Sequence, residues 1–314
     1  MFIEFASLIC GLALLVLSAD WLIAGAAALA GRLCVPPLLV GLTLVAFGTS
    51  APELVVTVRA TLDDMGGIAL GNIVGSNIAN VFLVLGLPAL FAPMASQARS
   101  ASANMAFLAA VTGLFLAVAY VSQRVTPVIG WAALAILAGY LACIFSPQRM
   151  RQEGCEADDG ADRDRAYPIL VVLVGLAGVA VGSDLLVSAA KDLTDTFGLR
   201  QEALGLSVIA IGTSLPELAT VVAAARRRAA DMAIGNVIGS NIFNILAVGG
   251  ATGVFGGAAF SQSALLLDMP MMLLAAAIAA WFIFTRQRIG RTAGGVFLMT
   301  YGVYLTLVAM TLST

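Results

Sequence analysis

Long apolar segments separated by short polar connections run along the whole chain. A helix that crosses the hydrocarbon core of a bilayer needs about 20 apolar residues. Segments of about that length or longer fall at about 3–30, 38–60, 67–91, 102–121, 127–145, 167–192, 201–225, 231–256, 262–284 and 292–312. The pattern predicts an all-α polytopic membrane protein with ten transmembrane helices.

Composition agrees with a lipid bilayer as the surroundings of the chain. Hydrophobic residues make up 61% of the sequence and charged residues 11%, whereas a soluble domain carries roughly 25% charged residues. Histidine is absent, which excludes His-ligated zinc and any Ser-His triad. We expect neither an enzyme nor a resident cofactor, and no nucleic-acid partner.

The clearly hydrophilic stretch lies near the middle of the chain, at about 146–166. Its acidic run lacks the ordered ligand spacing of an EF-hand loop, so a solvated linker is the better interpretation. It divides the chain into a first five-helix repeat at 1–145, a cytoplasmic linker at 146–166 and a second five-helix repeat at 167–314.

Two motifs occur twice at one fixed spacing. GLTLVAFGTSAPEL at 41–54 returns as GLSVIAIGTSLPEL at 205–218, and ALGNIVGSNIAN at 69–80 returns as AIGNVIGSNIFN at 233–244. Both second copies lie 164 positions after the first copies. A constant offset without gaps over several segments indicates internal duplication.

The number of segments in each half predicts that the two repeats are inverted. With five spans per half, the second half enters the membrane from the opposite side. If both termini lie outside, the cytoplasmic connections hold twelve Lys or Arg residues and the outer connections four. This bias follows the positive-inside rule, and we expect a multi-pass protein of the plasma (inner) membrane.

The repeated GTSxPE sequence predicts a broken helix in spans 2 and 7. Pro52 removes an amide donor and clashes with the preceding turn, and Gly48 loosens that turn. Backbone carbonyls freed by such a break are tolerated in a bilayer only where they line a cavity or bind something. Glu53, a carboxylate deep in an apolar segment, costs several kcal/mol unless it is paired or solvated.

Oxygen-bearing groups converge at this predicted break in both halves. Hard oxygen ligands of this kind suit Na⁺ or Ca²⁺. The candidates in the first half are the carbonyl of Ala46, the hydroxyls of Thr49 and Ser50 and the carboxylate of Glu53; those in the second half are Ala210, Thr213, Ser214 and Glu217. A kink with a snorkelling or protonated glutamate is the alternative, and the exact doubling of every oxygen-bearing position argues against it.

The GSNIxN motifs supply further oxygens. Ser76 and Asn80 are four residues apart and share one helix face, as do Ser240 and Asn244. Polar side chains also commonly join membrane helices by hydrogen bonds. Each asparagine is therefore either a cation ligand or a contact between helices.

Charge constrains what such a midplane site could hold. Its two carboxylates carry a charge of −2, which one Ca²⁺, two or more Na⁺ or two protons would balance. A bare pair of like charges in low dielectric is costly, so the site favours exchange of one occupant for another. We expect spans 1 and 6 to move against a core of spans 2, 3, 7 and 8. Asp20 and Asp184 form a further symmetric pair on spans 1 and 6, for which a structural hydrogen bond is expected.

The doubled GTSxPEL and GNxxGSNIxN motifs resemble the α-repeats of the Ca²⁺/cation antiporter superfamily, and most closely its prokaryotic Na⁺/Ca²⁺ exchangers. The resemblance covers both repeats and implies antiport of Na⁺ against Ca²⁺ by alternating access, with no cofactor. It implies a Ca²⁺ site at Glu53, Glu217, Thr49 and Thr213. It implies Na⁺ sites at Ala46, Ser50, Ser76, Ala210, Ser214 and Ser240, with Asn80 and Asn244 at the centre.

One position departs from some relatives, which have Asp where this chain has Asn244. The departure makes K⁺ co-transport less expected. A Ca²⁺/H⁺ antiporter remains the runner-up, since two glutamates can carry two protons, and a cation channel is a more distant alternative. We expect the protein to act as a monomer on Ca²⁺ and Na⁺.

Overall fold

A computed structural model describes residues 2–33, 35–146, 166–196 and 212–311, and within these ranges the fold is almost entirely helical. The helices are α1 Phe2–Leu33, α2 Pro37–Thr49, α3 Ala51–Leu62, α4 Gly66–Ala89, α5 Ala101–Ser122, α6 Pro127–Ile144, α7 Ala166–Thr196, α8 Leu215–Arg226, α9 Ala230–Phe255, α10 Ala264–Phe284 and α11 Arg291–Thr311. Two short strands, β1 Arg124–Val125 and β2 Ala258–Ala259, complete the fold.

Eight of the described helices are long and apolar enough to cross a membrane. The bent pair α2 and α3 makes a ninth if it is counted as one span. These helices correspond to nine of the ten apolar segments. Residues 201–211 of the remaining segment, 201–225, lie outside the described residues, as do Ala210 and most of the linker, so the ten-span count stays a prediction.

The bend between α2 and α3 lies at Ser50. The two helices meet there at 44°, and Ser50 leaves helical geometry with φ −85° and ψ 4°. Pro52 then occupies the second position of α3, where its missing amide is not needed. Ser214 before α8 has nearly the same angles, φ −85° and ψ 1°, so both copies of the motif begin a helix in the same way.

Two central helices form the core on which the others pack. Of the 18 most apolar consecutive residues of each helix, 78% are buried in α4 and 89% in α9, whereas 22–39% are buried in the outer helices. Helix α9 lies directly against α2 because its contact face carries glycine. A Cβ atom on Gly235 or Gly239 would collide with the carbonyl oxygen of Leu38 or Leu42, respectively.

Helices α1 and α7 form a separate antiparallel pair beside this core. The backbone of Gly175 lies against Leu22, and that of Gly182 lies against Leu15. Their contacts with each other are far more extensive than those that either makes with α2 or α8. The pair thus corresponds to the peripheral spans 1 and 6 of the sequence prediction.

Two short strand contacts link the halves of the chain. Val125 of β1 pairs with Ala258 of β2, and an isolated bridge joins Met94 to Ile289. Ala258 lies 164 positions after Met94, and Ile289 lies 164 positions after Val125. Exchanging the two halves therefore converts one contact into the other.

Candidate cation site

Glu53 and Glu217 lie in the first turns of α3 and α8, three residues after Ser50 and Ser214, respectively. Both are buried, at 1% and 0% exposure, and their carboxylates are close enough to interact electrostatically. The sequence brings them there because each follows a proline that starts its helix. Both oxygens of Glu53 and Oε2 of Glu217 have no hydrogen-bond partner among the described residues.

The Glu217 carboxylate accepts hydrogen bonds from hydroxyl groups of both halves of the chain. Oγ of Ser50 donates a hydrogen bond of 2.9 Å to Oε1 of Glu217, and Oγ of Ser240 donates to the same atom at 3.5 Å. Thr49 also lies close enough to interact with this carboxylate. The first-half motif is thus joined directly to the second-half glutamate.

A larger set of buried polar atoms at the predicted site residues has no hydrogen-bond partner among the described residues. A buried polar atom left unpaired costs free energy, and nearly all such atoms in folded proteins are paired. Within the described part of the chain, the unpaired buried atoms at predicted site residues are Oε1 and Oε2 of Glu53, Oε2 of Glu217, Oγ of Ser76, Oγ of Ser214, Oδ1 of Asn80, and Oδ1 and Nδ2 of Asn244. All but one are oxygens, so the donor set fits a hard cation.

Asn80 makes a contact between helices and also leaves one side-chain oxygen unpaired. Its Nδ2 donates to Oδ1 of Asn241 at 2.9 Å, which joins α4 to α9, while its Oδ1 stays unpaired. Nδ2 of Asn241 in turn reaches the carbonyl of Asn77 at 3.4 Å, and Asn77 donates to the carbonyl of Ile73. Asn77 and Asn241 therefore serve helix contacts.

Two of the predicted ligands, the Ala46 carbonyl and the Thr213 hydroxyl, already form hydrogen bonds within the protein. The carbonyl of Ala46 accepts hydrogen bonds from the Thr49 hydroxyl at 3.3 Å and from the Ser50 amide at 2.9 Å. Both lone pairs of that oxygen are thus engaged, and an ion could bind it only in place of the Thr49 hydroxyl or the Ser50 amide. Thr213 donates from Oγ1 to Oδ1 of Asn72 at 3.2 Å, and Ala210 lies outside the described residues.

Two threonines near the site were not found from the sequence. Nδ2 of Asn72 donates to Oγ1 of Thr57 at 2.8 Å, and Nδ2 of Asn236 donates to Oγ1 of Thr220 at 2.8 Å. Both threonines are fully buried. The sequence signal that could have identified them is a hydroxyl three or four residues after each of the two glutamates.

Asp268 is a carboxylate within a candidate span that the sequence analysis also missed. It is half-buried in α10, and the Tyr304 hydroxyl donates to its Oδ1 at 2.9 Å. The positions 164 residues earlier hold Asn104 and Tyr140, joined in the same way at 3.1 Å. In the described ranges, no group of three or more His, Cys, Asp or Glu side chains could hold a metal together, so Asp268 does not join the two glutamates.

Comparison with known proteins identifies the family. A family model described as "Sodium/calcium exchanger protein" matches residues 3–146 and again 167–310. The inner membrane protein YrbG of Escherichia coli is 33% identical over 99% of this chain and 97% of its own length. The sodium/calcium exchanger MaX1 of Methanosarcina acetivorans is 30% identical over 96% and 97%.

Solved structures agree with this match. The sodium-calcium exchanger NCX_Mj, soaked with Na⁺ and Sr²⁺, superposes with a TM-score of 0.85 at 27% identity, over 97% of this chain and 98% of that one. The relatives are membrane transporters of ions and not enzymes. The chain therefore belongs to the sodium/calcium exchanger family.

Proposed function

We propose that the protein exchanges Na⁺ for Ca²⁺ across the membrane by alternating access, with both ions bound between Glu53 and Glu217. The observation that carries this proposal is the set of buried, unpaired oxygens that the repeated motifs of both halves of the chain contribute. A cation between the two carboxylates would satisfy those oxygens and offset the repulsion of the two negative charges.

The proposed ligand sets follow the family resemblance residue by residue. Ca²⁺ would be bound by the two glutamates and the adjacent threonines, and Na⁺ by neutral oxygens around them. The Ca²⁺ ligands are Glu53, Glu217, Thr49 and Thr213; the Na⁺ ligands are Ala46, Ser50, Ser76, Ala210, Ser214 and Ser240, with Asn80 and Asn244 at the centre. The unpaired side-chain oxygens of Ser76, Ser214 and Asn80 support this assignment.

The charge of the site explains why the two ions exclude each other. Two carboxylates are balanced by one Ca²⁺ or by two or more Na⁺, and either occupancy removes most of the penalty for burying the pair. An empty site leaves two uncompensated charges in low dielectric, which disfavours any step that moves the bare site across the membrane. Coupled exchange is the consequence.

We also propose ten spans arranged as two inverted five-helix repeats, 1–145 and 167–314, joined by a cytoplasmic linker at 146–166, with both termini outside. The family model matches two segments of equal length that are offset by the same 164 positions as the motifs. The exchanged strand contacts described above support the same relation. The proposed functional unit is the monomer.

Flux through reconstituted vesicles tests the proposed function. Vesicles loaded with Na⁺ should take up Ca²⁺ saturably when the outside is free of Na⁺. Glu53→Gln and Glu217→Gln should each reduce this uptake to background, because each removes one charge from the proposed Ca²⁺ ligands. Asp268→Asn is the matched control, since it neutralises a carboxylate within a span but outside the site, and it should retain uptake.

Two results would reject the proposal. Uptake that follows a pH gradient and ignores Na⁺ would establish Ca²⁺/H⁺ antiport instead. Wild-type flux in either glutamine variant would mean that the ions bind elsewhere.

A further inference from the structure

A two-point ion pair joins the peripheral helix pair to the core. Nε of Arg227 donates to Oδ1 of Asp20 at 2.7 Å, and Nη2 donates to Oδ2 at 2.5 Å. Asp20 lies on α1, and Arg227 lies in the turn that follows α8. A bidentate contact between a planar guanidinium and a carboxylate is strong and directional, so it fixes the position of α1 relative to α8.

This ion pair lies at one end of a largely apolar crevice, whose lining includes neither Glu53 nor Glu217. The crevice, about 240 Å³ in volume, lies between α1, α4 and α8. Its lining follows one face of α8 from Leu215, next to Ser214 of the site, through Ala219 to Arg226 beside the ion pair. Asp20 itself lines that end. The pair therefore lies beside the end of the crevice that is farthest along α8 from Ser214.

The corresponding positions in the other half cannot form such a pair. Asp184 lies 164 residues after Asp20, but the residue 164 before Arg227 is Asp63. The two turns have the same backbone form, since Asp64 and Arg228 both adopt a left-handed conformation, with φ of 58° and 60°. Equivalent geometry would thus bring together two carboxylates instead of a carboxylate and a guanidinium, and Asp63 pairs instead with Arg59 of its own helix α3 at 2.7 Å.

From these observations we propose that Asp20 and Arg227 form a one-sided gate, which holds α1 against α8 on one side of the protein. The proposal rests on the alternating access proposed above, in which α1 and α7 move against the core. Opening the crevice requires the ion pair to break, whereas the equivalent positions of the other half, Asp184 and Asp63, are both acidic and form no such pair with each other. The pair therefore biases the protein toward the state in which the crevice is closed. Breaking it also releases the Asp20 carboxylate at the mouth, where it would attract cations.

Access to the crevice can be measured without any ion transport. Ala219→Cys, in a background with the four native cysteines replaced by alanine, places one thiol on the crevice wall. The purified full-length protein in lipid nanodiscs exposes both faces, so the result does not depend on its orientation. We expect Asp20→Asn and Arg227→Gln to raise the rate of thiol modification by a charged reagent about two- to five-fold, the effect of losing one exposed ion pair.

Matched variants distinguish the gate from a general change in charge. Asp184→Asn removes a carboxylate at the equivalent position of α7 and should leave the rate unchanged. Asp20→Lys should raise the rate, and adding Arg227→Asp to it should restore the low rate by reversing the pair. Ionic strength raised with choline chloride should speed modification of the gated protein but not of Asp20→Asn, because salt screens the exposed pair.

Equal rates in wild type, Asp20→Asn and Arg227→Gln would overturn the gate, as would a charge reversal that fails to restore the low rate. An equal rise with Asp184→Asn would do the same. Because the measurement needs no gradient, it can fail while the Glu53→Gln and Glu217→Gln fluxes still support exchange. Conversely, if the protein showed no Na⁺/Ca²⁺ exchange, the rates of thiol modification could still be measured.

Discussion

Ser50 is a single hydroxyl that we expect to affect the binding of Na⁺ more than the binding of Ca²⁺. Its hydrogen bond of 2.9 Å to Glu217 reaches from the first motif to the second, while the equivalent hydroxyl of Ser214 is unpaired. Hydrogen bonds to charged groups contribute roughly 1.5–3 kcal/mol. The resemblance places Ser50 among the Na⁺ ligands and Thr49 among the Ca²⁺ ligands.

The substitution Ser50→Ala should therefore weaken the binding of Na⁺ more than the binding of Ca²⁺. We expect the Na⁺ concentration for half-maximal exchange to rise about ten-fold, which corresponds to about 1.4 kcal/mol, with a smaller change for Ca²⁺. Thr61→Ala is the matched control, because Thr61 is a buried residue of the same helix α3 whose hydroxyl, among the described residues, donates to the carbonyl of Thr57 and not to a glutamate. Equal losses for the two ions, or the same loss in Thr61→Ala, would remove Ser50 from the Na⁺ set.

At this scale, the sequence predicts the residues that the motif repeats and misses those that depend on distance. Glu53 and Glu217 could be identified because each follows a proline in a doubled pattern. The partner of Asp20 could not, since Arg227 lies 207 residues away and its own repeat position carries an acid. Only the packing of α1 on α8 brings the two together.

Among the helices, the approach of α9 to α2 is decided by glycine. The backbone of α2 fills the space where a side chain at Gly239 would lie, and the atom in the way is a carbonyl oxygen of Leu42. Because a main-chain atom cannot turn aside as a flexible side chain does, an added methyl group would push the two helices apart. The neighbouring Ser240, which bonds to Glu217, would move with it.

Gly239→Ala should accordingly destabilise the folded protein by about 1–3 kcal/mol, the usual cost of overpacking. Thermal unfolding of the detergent-purified protein should show a lower midpoint. Gly113→Ala in α5 is the control, since a Cβ atom there meets nothing within 4 Å, and alanine is the better helix former. Equal midpoints for Gly239→Ala and wild type would show that α2 and α9 can separate without cost.

The local form of the core helices was beyond sequence prediction. Helices α4 and α9 each contain a π-helical segment, Asn80–Leu85 and Asn244–Val248, that begins at the asparagine of the GSNIxN motif. Such segments occur frequently at functional sites. The pattern of apolar positions predicts a continuous helix here, because it records which faces are buried and not how the hydrogen bonds are shared.

At the scale of the whole molecule, the turns after α3 and α8 test the inverted arrangement. Each turn contains one exposed residue with a left-handed backbone conformation, Asp64 in the first and Arg228 in the second. One turn is acidic and the other basic. Under the positive-inside rule the basic turn belongs to the cytoplasmic face, and the acidic turn then belongs to the outer face.

Single cysteines at Asp64 and Arg228, in the cysteine-free background, should therefore be labelled from opposite sides by a membrane-impermeant thiol reagent. Asp64→Cys should react in intact cells, and Arg228→Cys only in everted vesicles. Any strain from a cysteine in the left-handed conformation is the same at both sites, so a difference in labelling reports the side. Labelling of both from one side would contradict inverted repeats. It would also place the Asp20–Arg227 pair and the Asp63 turn on the same face of the membrane. The ion pair could then not favour opening of the protein toward one side over the other.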